Sequence, residues 1–169
     1  EPEELVELYE KHGEDIFSRS VFGRIREFFF DPRSASQERY DASTLTSLLV
    51  DKLGACLISQ ARTRVVITAY DIEARCAVFM TNCASSKGGR SDDYRFWEAC
   101  RATSAAPTFF EPARVRRMIA TADGGIVEKQ QTLIDGGVFA NDPAMAAFTE
   151  ATKQGIAPSD ICMMSIGTG

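Results

Sequence analysis

The sequence predicts an α/β domain, and three observations lead there. Strand-like β-branched runs alternate with helix-length segments through the second half of the chain, the pattern of helices layered on a sheet. At 169 residues the chain has the size of one ordinary domain. Its 44% hydrophobic content supplies a sizeable core, and 25% charged residues place it among globular chains. The net charge of −5 comes with no basic stripe, so no nucleic acid partner is expected. No apolar run approaches the roughly 20 residues needed to span a bilayer. A local apolar or basic patch on an acidic protein still permits contact with lipid.

Residues 1–17 read as a helix, with Leu5, Leu8 and Tyr9 on one face and acidic residues in the first turn, where the helix dipole favours them. Gly13 is the expected break. Residues 23–30 are basic and aromatic and end at the turn signal Asp31-Pro32, and 31–41 read as a polar loop. Leu45, Leu48, Leu49 and Leu53 mark an amphipathic helix, started by Asp41 or Ser43 and stopped near Gly54. The period then changes. Residues 64–70 and 77–81, joined by the polar link 71–75, read as a β-hairpin or two neighbouring strands. Residues 85–93 form a polar loop. Residues 94–103 read as a helix with Phe96, Trp97 and Cys100 on its apolar side, limited by Pro107. Strands at 115–120 and 126–134 flank the turn Asp123-Gly124-Gly125. The clearest helix is 143–154, with Asp142 as N-cap, Pro143 at the first helical position and Gly155 as the stop. Residues 161–166 read as a buried strand.

Cys56, Cys76, Cys83, Cys100 and Cys162 are odd in number and contain no Cys-x-x-Cys, and His12 is the single histidine. This is not metal-ligand spacing. Scattered reduced thiols, mostly buried, in a reducing compartment are expected, with one regulatory or reactive cysteine as the alternative. No metal or cofactor is expected.

The informative stretch is Leu133-Ile134-Asp135-Gly136-Gly137, continuing through Asn141 to Asp142-Pro143. An apolar strand delivers a carboxylate at its C-terminal end, where α/β sheets gather ligands. The glycines permit positive φ and close approach to the backbone. On spacing alone Asp135 is either a functional carboxylate or the cap of a turn. A second Asp-Gly-Gly, at Asp123, lies between two strands and reads as a hairpin turn, which shows how little the tripeptide says without its surroundings.

The run Arg101-Ala102-Thr103-Ser104-Ala105-Ala106-Pro107-Thr108-Phe109-Phe110, then Asp135-Gly136-Gly137 with Asn141 and Pro143, then Ser165-Ile166-Gly167-Thr168-Gly169, resembles the patatin-like phospholipases in order and spacing. The strand from Val65 to Ile72, with Phe79 behind it, agrees. The resemblance covers roughly Leu5 to the end. It implies a mostly parallel central sheet with flanking helices in α/β/α layers, with residues 1–169 as the C-terminal portion of one such domain. It also implies hydrolysis of lipid acyl esters by a Ser-Asp dyad, in which Asp135 is the aspartate and Gly136, Gly137 and Asn141 belong to its supporting loop. The implied substrate is a lipid or phospholipid at a membrane surface. The implied location is cytoplasmic or peripheral to a membrane.

The family's Gly-x-Ser-x-Gly elbow and glycine-rich oxyanion loop lie upstream of this region. Ser59, Ser85, Ser86, Ser104 and Ser165 are no substitutes, since none has glycine on both sides at two residues' distance. A start at Glu1 and a stop just after a strand-like run lead us to expect a piece of a longer protein, inactive by itself. No histidine follows Asp135, unlike the Ser-acid-His order of α/β-hydrolases; this favours a dyad. His12 is expected to face solvent, Arg101 to pair with a carboxylate, and Thr103 and Ser104 to allow close packing. The alternative is a non-catalytic lipid- or protein-binding relative of the same fold. Nucleotide binding at Gly167-Thr168-Gly169 is a weaker rival, because a complete glycine loop is not present.

Overall fold

The computed structural model describes residues 6–7, 10–13, 16, 40–83 and 92–167. The basic-aromatic stretch at 23–30 falls outside them, as do all but the last two residues of the loops expected at 31–41 and 85–93. So does much of the first helix, of which residues 6, 7, 10–13 and 16 are helical. Gly13, the expected break, is itself helical, and residues 14–15 lie outside the described set.

Helix α1 is Ala42–Leu53. Asp41 has extended backbone and its Oδ1 accepts the Ser43 N–H at 2.8 Å, satisfying a first-turn donor. Gly54, at φ +54°, closes the helix with its N–H on the Val50 carbonyl at 2.8 Å. Strands β1 (Val66–Asp71) and β2 (Cys76–Thr81) form the expected hairpin, in register from Val66↔Thr81 to Asp71↔Cys76. Helix α2 is Phe96–Thr103. Strands β3 (Ala113–Ala120) and β4 (Ile126–Asp135) pair from Ala113↔Leu133 to Ala120↔Ile126. The last residues of β4 then join β1, with Ala69↔Asp135 and Asp71↔Leu133. The sheet order is β2-β1-β4-β3.

The α/β class is the one the sequence predicted, but strand direction is not. All three pairings among the described residues are antiparallel. The links explain two of them. Residues 72–75 and 121–125 are far too short for a parallel crossover, which takes a dozen residues or more. Gly124, at φ +83°, makes the second link possible.

Alternation puts Ile67, Ala69, Val78, Met80, Ala113, Val115 and Leu133 on one face, against Ala99, Ala102 and Ala105 from α2 and the turn after it. The alanines let helix and sheet approach closely. Truncating Leu133, which has no exposed surface, to alanine should cost about 2–5 kcal/mol. The face that α2 buries is not the expected aromatic one. Glu98, Ala99, Arg101 and Ala102 are buried, and Phe96, Trp97 and Cys100 are only half so. Glu98 tolerates burial because Arg116 meets it three times, through its backbone N–H at 3.1 Å, Nε at 2.8 Å and Nη2 at 2.7 Å.

Helix α3, Ala144–Lys153, starts one residue later than expected: Pro143 stands outside it, and Asp142 Oδ1 accepts the Ala144 N–H at 3.0 Å. Gly155, at φ +84°, follows its end. No residue of α3 is buried. The strand expected at 161–166 is absent. That segment has no regular structure; Ile161 is half-buried and residues 162–166 are exposed, with Met164 at 82% and Ile166 at 86%. A strand needs a neighbour to take its backbone hydrogen bonds, and none of the described strands pairs with it.

Candidate active-site carboxylate

Asp135 stands where β4 stops, half-buried, and three contacts fix it. Its N–H donates to the Ala105 carbonyl at 3.0 Å. That bond ties the end of β4 to the turn after α2, so the two most distinctive stretches of the sequence, 101–110 and 135–143, meet there. Its Oδ1 accepts the Gly137 N–H at 2.7 Å, opening the 3-10 turn Gly136–Val138. Gly136 is buried against β1. A Cβ on it would stand 2.5 Å from the Thr68 carbonyl carbon and oxygen and would overlap the Thr68 hydroxyl. Only glycine fits without movement. Among the described residues, Asp135 Oδ2 accepts no hydrogen bond, which leaves one carboxylate oxygen open to a donor.

The reason for these glycines therefore differs from one of the two expected. Neither Gly136 nor Gly137 has positive φ; among the described residues the glycines that do are Gly54, Gly124 and Gly155. Gly136 is required for room. Gly137 is exposed, and a Cβ there would lie 3.2 Å from Asp135 Oδ1 and 3.7 Å from Asn141 Oδ1. Asn141 thus lies beside the turn, exposed, with no side-chain hydrogen bond among the described residues.

The second Asp-Gly-Gly shares the local bond and little else. Asp123 accepts the Gly125 N–H at 3.3 Å and the Thr121 hydroxyl. Those donors, the hydroxyl foremost, hold its carboxyl below the ordinary carboxylate range. It sits on the exposed hairpin turn between β3 and β4, which pairs with no other strand among the described residues. Asp135 has the same turn locked between β1 and the segment after α2.

Other residues singled out from the sequence have structural surroundings. Arg101 is 5% exposed and forms no carboxylate pair among the described residues. It donates to the Glu111 carbonyl at 2.8 Å and lies over the Phe110 ring at 5.6 Å. Burial pushes its pKa down, partly offset by the Glu111 charge. Thr103 ends α2 and Ser104 caps it. His12 is half-buried rather than solvent-facing, and the cysteines are not mostly buried as expected: Cys83 is buried and Cys100 half so, while Cys56, Cys76 and Cys162 lie at the surface. Among the described residues no three Cys, His, Asp or Glu side chains cluster as a metal site requires, and no helix is long and apolar enough to cross a membrane.

Sequence reasoning missed Thr68 and Ala105, which seat Asp135 through backbone atoms and so leave no residue-type signal. It also missed a buried chain on the α2 face of the sheet. Tyr94 Oη donates to Gln131 Oε1 at 3.0 Å, and Gln131 Nε2 donates to Asp71 Oδ2 at 2.9 Å. Asp71 Oδ1 accepts the Glu73 and Ala74 N–H groups, both at 2.9 Å. Burial pushes the Tyr94 hydroxyl up to about 12. The signal available was an aspartate two and three residues before turn amides.

With this geometry in place, comparison with known proteins becomes specific. The patatin-like phospholipase family profile matches residues 2–148. Patatin-12 of Solanum tuberosum is 34% identical over 164 residues, covering 96% of this chain and 38% of the relative. Patatin-T5 of the same plant is 29% identical over 180 residues, covering 98% of this chain and 42% of the relative. A third potato protein, described as a probable inactive patatin-3-Kuras 1, is 29% identical over 163 residues, with coverages of 96% and 39%. The chain spans about two fifths of the length of these relatives. The match takes in both Arg101–Phe110 and Asp135 with its glycine turn, and on it the chain belongs to the patatin-like phospholipase family.

Proposed function

We propose that these residues form the acid-bearing C-terminal portion of one patatin-like catalytic domain, and that the complete protein hydrolyses acyl esters of lipids. Phospholipids at a membrane surface are the substrate class we favour. Asp135 carries the proposal. It is a carboxylate at a strand end, clamped by Ala105 and Gly137, with one oxygen open. In this reading that oxygen takes the proton of a serine hydroxyl supplied by the Gly-x-Ser-x-Gly elbow of the same domain. The serine oxygen bonds to the ester carbonyl carbon, and backbone N–H donors of a glycine-rich loop hold the oxyanion. Collapse expels the alcohol, which takes the proton from Asp135. Water then repeats the sequence on the acyl-enzyme, with Asp135 again as base and the fatty acid as product. Gly136 and Gly137 hold the carboxylate, and Asn141 borders it.

A second reading, a non-catalytic relative, has support in the match to a potato protein described as probably inactive. The built seat of Asp135 favours the enzyme. A fluorophosphonate probe separates the two. The 169-residue chain should show no labelled serine and no hydrolysis of a nitrophenyl ester. The complete protein should be labelled at one Gly-x-Ser-x-Gly serine. Labelling within residues 1–169, or no labelling of the complete folded protein, contradicts the proposal.

A further inference from the structure

Packing alone does not account for Arg101. It is buried, yet no carboxylate pairs with it among the described residues, and its buried Nη1 has no hydrogen-bond partner there. A buried cation left partly unsatisfied carries a penalty, and an apolar side chain would fill the same space without it. What an apolar side chain cannot do is hold the Glu111 carbonyl, to which Nη2 donates at 2.8 Å while the guanidinium lies over the Phe110 ring. Arg101 is in the last turn of α2, and Glu111 stands two residues before β3. The side chain therefore closes the base of the connection between α2 and β3.

That connection is strained. The Phe109 N–H closes on the Ala106 carbonyl at 3.0 Å, which makes residues 106–109 a tight turn with Pro107 second and Thr108 third. Thr108 has φ +72°, a value that the third position of such a turn normally gives to glycine. A β-branched residue there is a conformational outlier that persists only when its surroundings hold it, and such outliers cluster at functional sites. Arg101 grips the turn from α2. Tyr40 grips it from the other side, its N–H on the Phe109 carbonyl at 2.9 Å and its ring 5.4 Å from that of Phe110. Immediately before the turn comes Ala105, whose carbonyl takes the Asp135 N–H at 3.0 Å.

We propose that Arg101 is a positioning residue: it holds the strained turn closed, so that the Ala105 carbonyl stays on the Asp135 N–H and the carboxylate keeps its aim. The proposal rests on the lipid-hydrolase reading for what Asp135 does, so one of its measurements is independent of turnover. In the complete protein, Arg101→Met should speed hydrogen exchange of the Asp135 amide by about tenfold or more, while the amides of the β3–β4 ladder stay within about twofold. The same variant should lower kcat by about 10- to 100-fold with KM within about twofold, since a displacement near 1 Å that originates far from the reacting atoms is enough. Arg101→Lys keeps a donor for the Glu111 carbonyl and should fall between the parent and Arg101→Met in both readouts; it replaces Arg101→Met if that variant does not fold. Adding Thr108→Gly to either variant should recover about threefold or more of kcat and slow exchange at Asp135, because glycine takes the positive φ without being held. A loss of packing alone would not be repaired at Thr108. Exchange at Asp135 that is unchanged, or that rises in step with the whole sheet, overturns the proposal. So does a kcat within about twofold of the parent, a loss confined to KM, or a double variant no better than the single one. A complete protein that hydrolyses no ester refutes the lipid-hydrolase reading, and the exchange rates then still decide whether Arg101 holds the seat of Asp135.

Discussion

Replacing Gly136 by alanine tests the seat of Asp135 with a single added methyl group. Gly136 has no positive φ, so backbone conformation does not oppose alanine. On that ground alone the change would stabilise the chain by about 0.4–1 kcal/mol, through a less flexible unfolded state. The new Cβ, however, would sit 2.5 Å from both the Thr68 carbonyl carbon and oxygen. These are backbone atoms of a paired strand and have no rotamer by which to escape. Overpacking of this kind typically costs about 1–3 kcal/mol, which exceeds the entropic gain. In a domain of this size that lowers Tm by about 3–10 °C. Gly137→Ala is the control: its Cβ would meet Asp135 Oδ1 at 3.2 Å in an exposed position, and Tm should move by no more than about 2 °C. Thr68→Ala should not rescue Gly136→Ala, because it removes the hydroxyl and leaves the carbonyl. Thermal melts followed by circular dichroism decide the matter. If Gly136→Ala melts with the parent or above it, or if Thr68→Ala restores it, the close-approach account is wrong.

The other expectations are briefer. Asp71→Ala strips the acceptor from two turn amides and from Gln131 and should cost about 3 kcal/mol in urea unfolding; a loss under about 1 kcal/mol would contradict the network's structural role. The Tyr94 hydroxyl, raised mainly by burial to about 12 from an ordinary 10, makes folding favour the neutral phenol. Its contribution is therefore intact below pH 10 and lost as pH rises towards 12, by up to about 1.4 kcal/mol per pH unit. Tyr94→Phe should remove that slope from stability measured between those pH values, and an unchanged slope would refute the assignment. Asp123→Asn should leave both melting and any activity of the complete protein close to the parent, since asparagine also suits the turn; loss of activity would mean the functional Asp-Gly-Gly had been misassigned.

Local rules made much of the fold legible. Asp41 and Gly54 bound α1 as a capped helix must be bounded, and the short links 71–75 and 121–125 announced hairpins. The errors lie where tertiary partners decide. Glu98 and Arg101 are buried on α2 because Arg116, Phe110 and the Glu111 carbonyl receive them, and a helical wheel contains none of those partners. Residues 161–166 have strand composition but pair with no strand among the described residues. The mostly parallel sheet was inferred from family likeness, while the chain's own short links dictate antiparallel hairpins. At the candidate site, the aspartate and its glycines were readable as a motif. Their seat was not, because Thr68 and Ala105 act through backbone carbonyls that any residue carries.

The most direct test of the central claim is kcat/KM for a lipid ester with the complete protein and its Asp135→Asn variant, each with its melting curve. Asparagine keeps the size of the side chain and an oxygen for the Gly137 N–H, and it removes the base. The account predicts a fall of about 100- to 10,000-fold, the usual contribution of a positioned general base, at nearly unchanged Tm. A variant that folds as the parent does and retains activity within about threefold, a barrier change under about 1 kcal/mol, would contradict Asp135 as the catalytic carboxylate.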